Sequence, residues 1–211
     1  MSQLGLPLAW PDGPGDDAFL VSSANQRACA LLDRWATWPV MTALLVGPRK
    51  SGRSLLARVF AARSGGRVID DADRRPEQDL FHAWNAAQAE RRPLLMVAGM
   101  APPEWRVALP DLRSRLAACP LARIAPPDDA LMALLLERRF NRRGLDARPE
   151  LIQWLVARLE RSFVAVERTV DLLDHDALER RRRLSIPLAR ATLTDAGILL
   201  PLSPEPASEK P

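Results

Sequence analysis

The sequence predicts an α/β protein, a parallel sheet flanked by helices and built around a P-loop, followed by a small all-α domain. Three observations predict it. Ala43-Leu44-Leu45-Val46 runs into a loop bounded by Gly47 and Gly52, after which Leu55, Leu56, Val59 and Phe60 recur at helical spacing. Further short apolar runs at Val68-Ile69, Leu94–Ala98 and Leu121–Ile124 alternate with helical patterns, as parallel strands alternate with their crossover helices. After Pro126-Pro127 only helical patterns remain.

The glycine loop carries the first chemical signal. Against G-x-x-x-x-G-K-[ST], Gly47, Gly52 and Ser54 fit, and Arg53 stands at the lysine position. Backbone N–H groups of such a loop, with a helix N-terminus behind them, form an anion site. Gly47, Gly52, Arg53, Ser54 and Leu55 are therefore candidate nucleotide-binding residues. Arginine keeps the charge but is a planar fork and not a compact point charge. The exchange predicts nucleotide binding with poor catalysis. The structural alternative is an ordinary strand-to-helix turn.

The other elements follow in order. Ser22 and Ser23 can cap a helix with Ala28, Leu31, Leu32 and Trp35 on its apolar face. Gly65-Gly66 turns into Arg67-Val68-Ile69, an apolar segment that ends in Asp70-Asp71. This is the Walker B pattern, in which the first acid holds Mg²⁺ through its waters and the second positions the attacking water. A strand end followed by a helix-capping Asp is the alternative, and Asp73 nearby supports it. Residues 77–91 form a helix with Leu80, Phe81, Trp84 and Ala87 on one face. Leu94–Ala98 is a continuous apolar run, as in a buried parallel strand. Ala101-Pro102-Pro103 breaks the chain, and Pro110 opens a helix carrying Leu112-Arg113-Ser114-Arg115-Leu116.

Beyond Pro126-Pro127, Asp128 or Asp129 can cap a helix through Leu131, Leu134, Leu135 and Arg138 that stops near Gly144. Pro149 opens a second helix with Ile152, Leu155, Val156 and Leu159. Ser162 opens a third, with Val166, Val170, Leu173 and Ala177 inward. Arg180 to Arg183 lie near its end, where cations suit the helix dipole. A nucleic-acid patch is the alternative reading of that run. Pro187 begins a last short helix.

Composition bounds the function. The 211 residues suffice to bury a real core. A formal charge of +4 is carried almost wholly by arginine, Lys50 and Lys210 being the lysines. This modest excess fits nucleic acid or an acidic partner without arguing for either. No basic-then-apolar leader and no bilayer-length apolar run is visible, so the expectation is a cytoplasmic protein with no membrane role. Cys29 and Cys119 lack C-x-x-C spacing and read as reduced, largely buried thiols. His82 and His175 fall in helical patterns without ligand-like neighbours, so no protein-held metal cluster is expected.

At the N-terminus, Gln3, Leu4, Leu6 and Leu8 sit on a Pro- and Gly-rich tether outside any periodic element. They resemble the short motif by which bacterial replication proteins dock on the DNA polymerase sliding clamp, a case of extended-peptide recognition. The alternative is a peptide packed on its own core. It could also pair with a second copy in a homodimer.

Taken together, these residues resemble the replication-initiator clade of the AAA+ ATPases, and within it the DnaA-related Hda regulators. Phe19-Leu20-Val21, Asn25-Gln26 and Ala28 resemble the clade's opening box. Gly52-Arg53-Ser54-Leu55-Leu56 is similar to the Hda loop, which also has arginine where DnaA has lysine. Ile69-Asp70-Asp71 resembles the Walker B segment, Pro102-Pro103 the sensor 1 loop, Leu112–Leu116 the arginine-finger box, and Ile124–Asp128 the way into a helical lid. The polar sensor 1 residue falls near Ala98 or Met100, and the sensor 2 arginine at Val164, with Arg161 or Arg168 as substitutes. A site without these groups loses much electrostatic stabilisation of phosphoryl transfer.

The resemblance implies the organisation of the chain. Residues 1–17 are a flexible clamp-binding segment, 18–127 an AAA+ nucleotide-binding domain, 128–198 a helical lid and 199–211 a disordered tail. It implies ADP with Mg²⁺ as cofactors, and the sliding clamp (the β subunit of DNA polymerase III), DnaA and, indirectly, DNA as partners. Location at the nucleoid or replisome is implied with them. The function implied is to dock on the DNA-loaded clamp and stimulate hydrolysis of DnaA-bound ATP, with Arg115 as an arginine finger in trans and little intrinsic ATPase activity. The alternatives are a clamp-bound scaffold without an activator role and a DnaA-like ATPase or helicase loader.

Overall fold

The computed structural model describes residues 19–180 and 183–199. The proposed clamp motif, the C-terminal tail and Arg181-Arg182 lie outside the described residues. Contacts divide the chain into two compact units that meet at Pro126 and Pro127.

The first unit is a parallel sheet with helices against it. Its strands are β1 (Thr42–Val46), β2 (Arg67–Ile69), β3 (Leu94–Ala98) and β4 (Leu121–Arg123), in the order β2-β3-β1-β4. Every pairing is parallel, with Val46 opposite both Ala98 and Arg123 and Ile69 opposite Met96. All residues of β1 and β3 are buried, which is why these strands read as unbroken apolar runs and not as alternating ones. The helices are α1 (Gln26–Asp33), α2 (Arg53–Ser64), α3 (Glu77–Glu90) and α4 (Pro110–Ala118). Leu44, Val46, Leu94 and Met96 pack with Leu80, Ala87, Leu112 and Leu116 of α3 and α4 in one core layer. Successive residues of a strand point to opposite faces, so Ala43, Leu45, Leu95 and Val97 are buried on the other side of the sheet.

Local chemistry sets the boundaries. Gly65, with φ of 66°, ends α2 in the left-handed conformation glycine permits. Both Glu77 carboxylate oxygens accept backbone N–H groups of the α4 approach, from Ala108 at 2.8 Å and Leu109 at 2.6 Å. The first helix corrects the sequence expectation. It begins after Asn25, ends at Asp33, and leaves Trp35 in a short 3-10 turn. Ser22 and Asn25 instead hold the preceding turn, with Asn25 Oδ1 accepting the Ser22 N–H at 2.9 Å. The large buried aromatic here is Trp38, stacked on Phe60 at 5.6 Å.

The second unit is all helical: α5 (Asp129–Arg142), α6 (Pro149–Val156), α7 (Phe163–Arg180) and α8 (Ile186–Asp195). Asp128 is the cap of α5, its carboxylate accepting the Leu131 N–H at 2.8 Å. Ser185 caps α8 one residue before the helix begins. Met132, Leu136 and Phe140 of α5 meet Leu151 and Leu155 of α6, Val166, Val170 and Leu173 of α7, and Ala189 and Leu193 of α8. Leu134 points away from this core and is 51% exposed. Arg143 anchors the end of α5 to α7 through Asp171 and Asp174. Among the described residues no helix is long and apolar enough to cross a membrane.

Candidate nucleotide-binding site

Parallel strands and their return helices place the loop after β1 at the carboxyl end of the sheet, where α/β folds bind ligands. Leu56 N–H is the first of α2 to find a helical acceptor, the Gly52 carbonyl at 2.9 Å. The N–H groups of Arg53, Ser54 and Leu55 are thereby left for an anion. Gly52 has φ of 84° and Lys50 of 64°, so the loop reverses through two left-handed residues. Gly47 is required by space. A Cβ there would lie 2.9 Å from Ile124 Cβ and 3.1 Å from the Ile124 carbonyl oxygen. Phe19 closes the loop from the N-terminal side, 3.0 Å from where a Cβ on Gly52 would stand.

Ser51 adds an independent sign of a ligand site. Its Oγ is buried without a hydrogen-bond partner and lies 3.3 Å from the position of a Cβ on Gly47. A buried hydroxyl with nothing to bond costs free energy on the order of 1–3 kcal/mol. A phosphate oxygen brought into the loop would satisfy it. The residues present thus fit a nucleotide.

Arg53 does not reach into the loop as an extended cation. Its guanidinium donates to the carbonyl oxygen of Ala98, the last residue of β3. Beside it, Asp73 Oδ2 accepts the Gly99 N–H at 3.0 Å. A side chain at position 99 would stand 3.1 Å from that oxygen and 3.8 Å from the Arg53 guanidinium. One base and one acid therefore converge on the end of β3.

Asp70 and Asp71 are placed differently. The Asp70 carboxylate accepts the N–H of Asp71 at 3.1 Å, and Asp71 is exposed with φ of 51°. That left-handed residue turns the chain into a 3-10 turn, Ala72–Arg74, which carries Asp73 back to Gly99. From the sequence, Asp73 is expected only as a helix cap. Ser54 is exposed in the first turn of α2, and Leu55 is half-buried behind it.

The segment expected to carry the arginine finger, Leu112–Leu116, lies on α4. Arg115 is half-buried, its guanidinium 4.2 Å from the Phe81 ring centre and 4.5 Å from that of Trp84, and it donates to Asn85 Oδ1. Arg113 is exposed. In the helical unit, Val164, expected from the sequence at the sensor 2 position, is 46% exposed. Arg161 is held by Asp129 through two bonds of 2.8 and 3.1 Å. That pairing holds the Asp129 carboxyl below its usual range. Both cysteines are buried and free, and burial pushes the thiols up, Cys29 to about 12 and Cys119 to about 11. Among the described residues no three His, Cys, Asp or Glu side chains gather as metal ligands.

Comparison with known proteins bears on both units. Residues 128–193 match the family model described as Hda, lid domain. Domain III of the Thermotoga maritima replication initiation protein DnaA superposes with a TM-score of 0.71 over 88% of this chain and 98% of that one, at 14% identity. The chain has the fold of DnaA domain III, and its residues 128–193 match an Hda lid. The AMPPCP-bound DnaA from Aquifex aeolicus matches with a TM-score of 0.60 at 15% identity, covering 76% of this chain and 65% of that one. A Thermotoga maritima RuvB variant matches with a TM-score of 0.64 at 13% identity, covering 85% of this chain and 70% of that one. At these identities the structural matches establish the AAA+ fold, while the Hda match is confined to residues 128–193.

Proposed function

We propose that this protein is a negative regulator of replication initiation that stimulates hydrolysis of DnaA-bound ATP while docked on a DNA-loaded sliding clamp. The observation that carries the reading is an Hda lid sequence following a DnaA-like AAA+ sheet. The protein's own loop holds ADP through Gly47, Gly52, Arg53, Ser54 and Leu55, and turns over ATP little or not at all. Arg115 is the contribution in trans, taken to the γ-phosphate of ATP on DnaA. An arginine finger supplied by a partner is worth roughly 10³–10⁵ in rate in the GTPase cases. Gln3, Leu4, Leu6 and Leu8 supply the attachment to the clamp.

Turnover of DnaA-bound ATP, measured with clamp-loaded DNA, tests this. The intact protein is expected to accelerate hydrolysis, and Arg115→Ala and Leu6→Ala each to abolish the acceleration. A second reading, a clamp-bound scaffold that recruits another protein, draws on the engagement of Arg115 by Phe81, Trp84 and Asn85 within its own unit. It is preferred if clamp binding is intact but no variant, nor the native chain, changes DnaA turnover. Rapid Mg²⁺-dependent turnover by this protein alone would instead favour a working ATPase or helicase loader.

A further inference from the structure

The P-loop and the strand end beside it disagree with the divalent ion that the fold family implies. Mg²⁺ requires near-octahedral oxygen ligands, keeps several waters, and in P-loop sites sits between the phosphates and the Walker B acid. In this chain a guanidinium occupies the carboxyl end of β3, the strand between the P-loop strand and the one that leads to Asp70-Asp71. Arg53 spans from the first turn of α2 to the Ala98 carbonyl, and Asp73 Oδ2 meets the Gly99 N–H next to it. Asp73 Oδ2 thus accepts a backbone donor, and Asp70 Oδ1 accepts the Asp71 N–H, one bond to each carboxylate. A hydrated dication there would displace or face a fixed positive charge.

The same arrangement supplies what the ion would have supplied. A guanidinium has five N–H donors in a planar fork. The bond to Ala98 uses one of the five and leaves four that a phosphate oxygen can take. The orphaned Ser51 hydroxyl and the N–H groups of the α2 first turn complete an anion cradle made wholly of protein donors.

We infer that this loop binds a nucleoside diphosphate free of Mg²⁺, with Arg53 taking the place of the ion. The inference rests on the reading of the loop as a nucleotide site. It predicts that ADP binds equally well whether or not a divalent ion is present, and that the Arg53 side chain is the reason.

The test is titration of the full-length protein with ADP by calorimetry, in Mg²⁺ and in EDTA at matched ionic strength, for the native chain and for Arg53→Lys. Native affinity is expected to differ less than about 2-fold between the two media. The lysine variant, whose compact ammonium leaves the end of β3 open, is expected to bind at least about 10-fold more tightly with Mg²⁺ than without. A native chain that loses 10-fold or more in EDTA overturns the inference and leaves the nucleotide site standing. So does an Arg53→Lys variant with no Mg²⁺ dependence. A native chain that binds no ADP in either medium overturns the nucleotide reading itself, and the inference falls with it. Circular dichroism of the variant separates a folding defect from a binding one. If Arg53→Lys does not fold, Asp73→Asn takes its place. With the acid beside Gly99 neutral it is expected to keep Mg²⁺-independent binding, and Mg²⁺ dependence in it also overturns the inference.

Discussion

Arg115 and Phe81 form a stacked pair, the guanidinium 4.2 Å from the ring centre on the neighbouring helix. Trp84 and Asn85 complete its surroundings, so the side chain contributes packing as well as charge. Arg115→Ala is expected to lower unfolding stability by about 1–2 kcal/mol through the lost cation–π contacts and hydrogen bond. Urea unfolding of the isolated protein checks this, and it sets the temperature at which the DnaA assay is interpretable. Arg113→Ala, on the exposed side of α4, is expected to change neither stability nor acceleration.

The contact between Gly47 and Ile124 gives a steric prediction. A methyl group at position 47 overlaps a β-carbon and a carbonyl oxygen of the adjacent strand end, neither of which can swing aside. Gly47→Ala is expected to cost roughly 1–3 kcal/mol and to weaken ADP binding at least as much as Ser54→Ala does. Thermal unfolding together with the ADP titration distinguishes the two contributions.

The buried thiols make stability fall in alkali. Burial raises Cys29 and Cys119 to about 12 and about 11. In the unfolded chain they ionise at ordinary thiol values near 8.5. Above that pH the unfolded state sheds protons that the folded state keeps, so the stabilisation present below it is lost as pH rises toward 11. Each thiol contributes a slope of about 1.4 kcal/mol per pH unit in that window. The chain has no tyrosine and its lysines are Lys50 and Lys210, so few other groups compete there. Urea midpoints at pH 8 and pH 10, for the native chain and for Cys29→Ala with Cys119→Ala, are expected to show the steeper loss in the native chain. Thiol labelling should be slow until denaturant is added.

In the helical unit, Phe140 is fully buried at the centre of the core. Phe140→Ala is expected to cost about 3–5 kcal/mol. Loss of the amide protection of α5 to α8 in hydrogen exchange, with β1 and β3 retaining theirs, is the expected signature.

The strands and helices were legible because β1 and β3 are buried on both faces and carry unbroken apolar runs, while Pro110 and Pro149 mark helix starts. The first helix was less so. Trp35 and Trp38 both suit an apolar face, and only packing on Phe60 selects Trp38. On α5, Leu131, Met132, Leu134, Leu135 and Leu136 form an almost continuous apolar stretch, so the outward turn of Leu134 is decided by α6 and α7 and not by spacing. At the site, Gly47, Gly52 and Arg53 stood out by motif. The nearness of Asp73 to Gly99 did not, because it depends on a left-handed turn at Asp71, a residue type for which sequence alone does not require that conformation.

The two outer strands, β2 and β4, are each only three residues long, and β4 is packed by α1. An added strand would find at most a few backbone donors and acceptors on either margin, too few to hold a neighbouring chain. Lengthwise growth of the sheet is therefore a poor route to self-association. Among the described residues, association of copies is thus left to side chains on helices and loops, where a single charge reversal can dissolve it without disturbing the sheet.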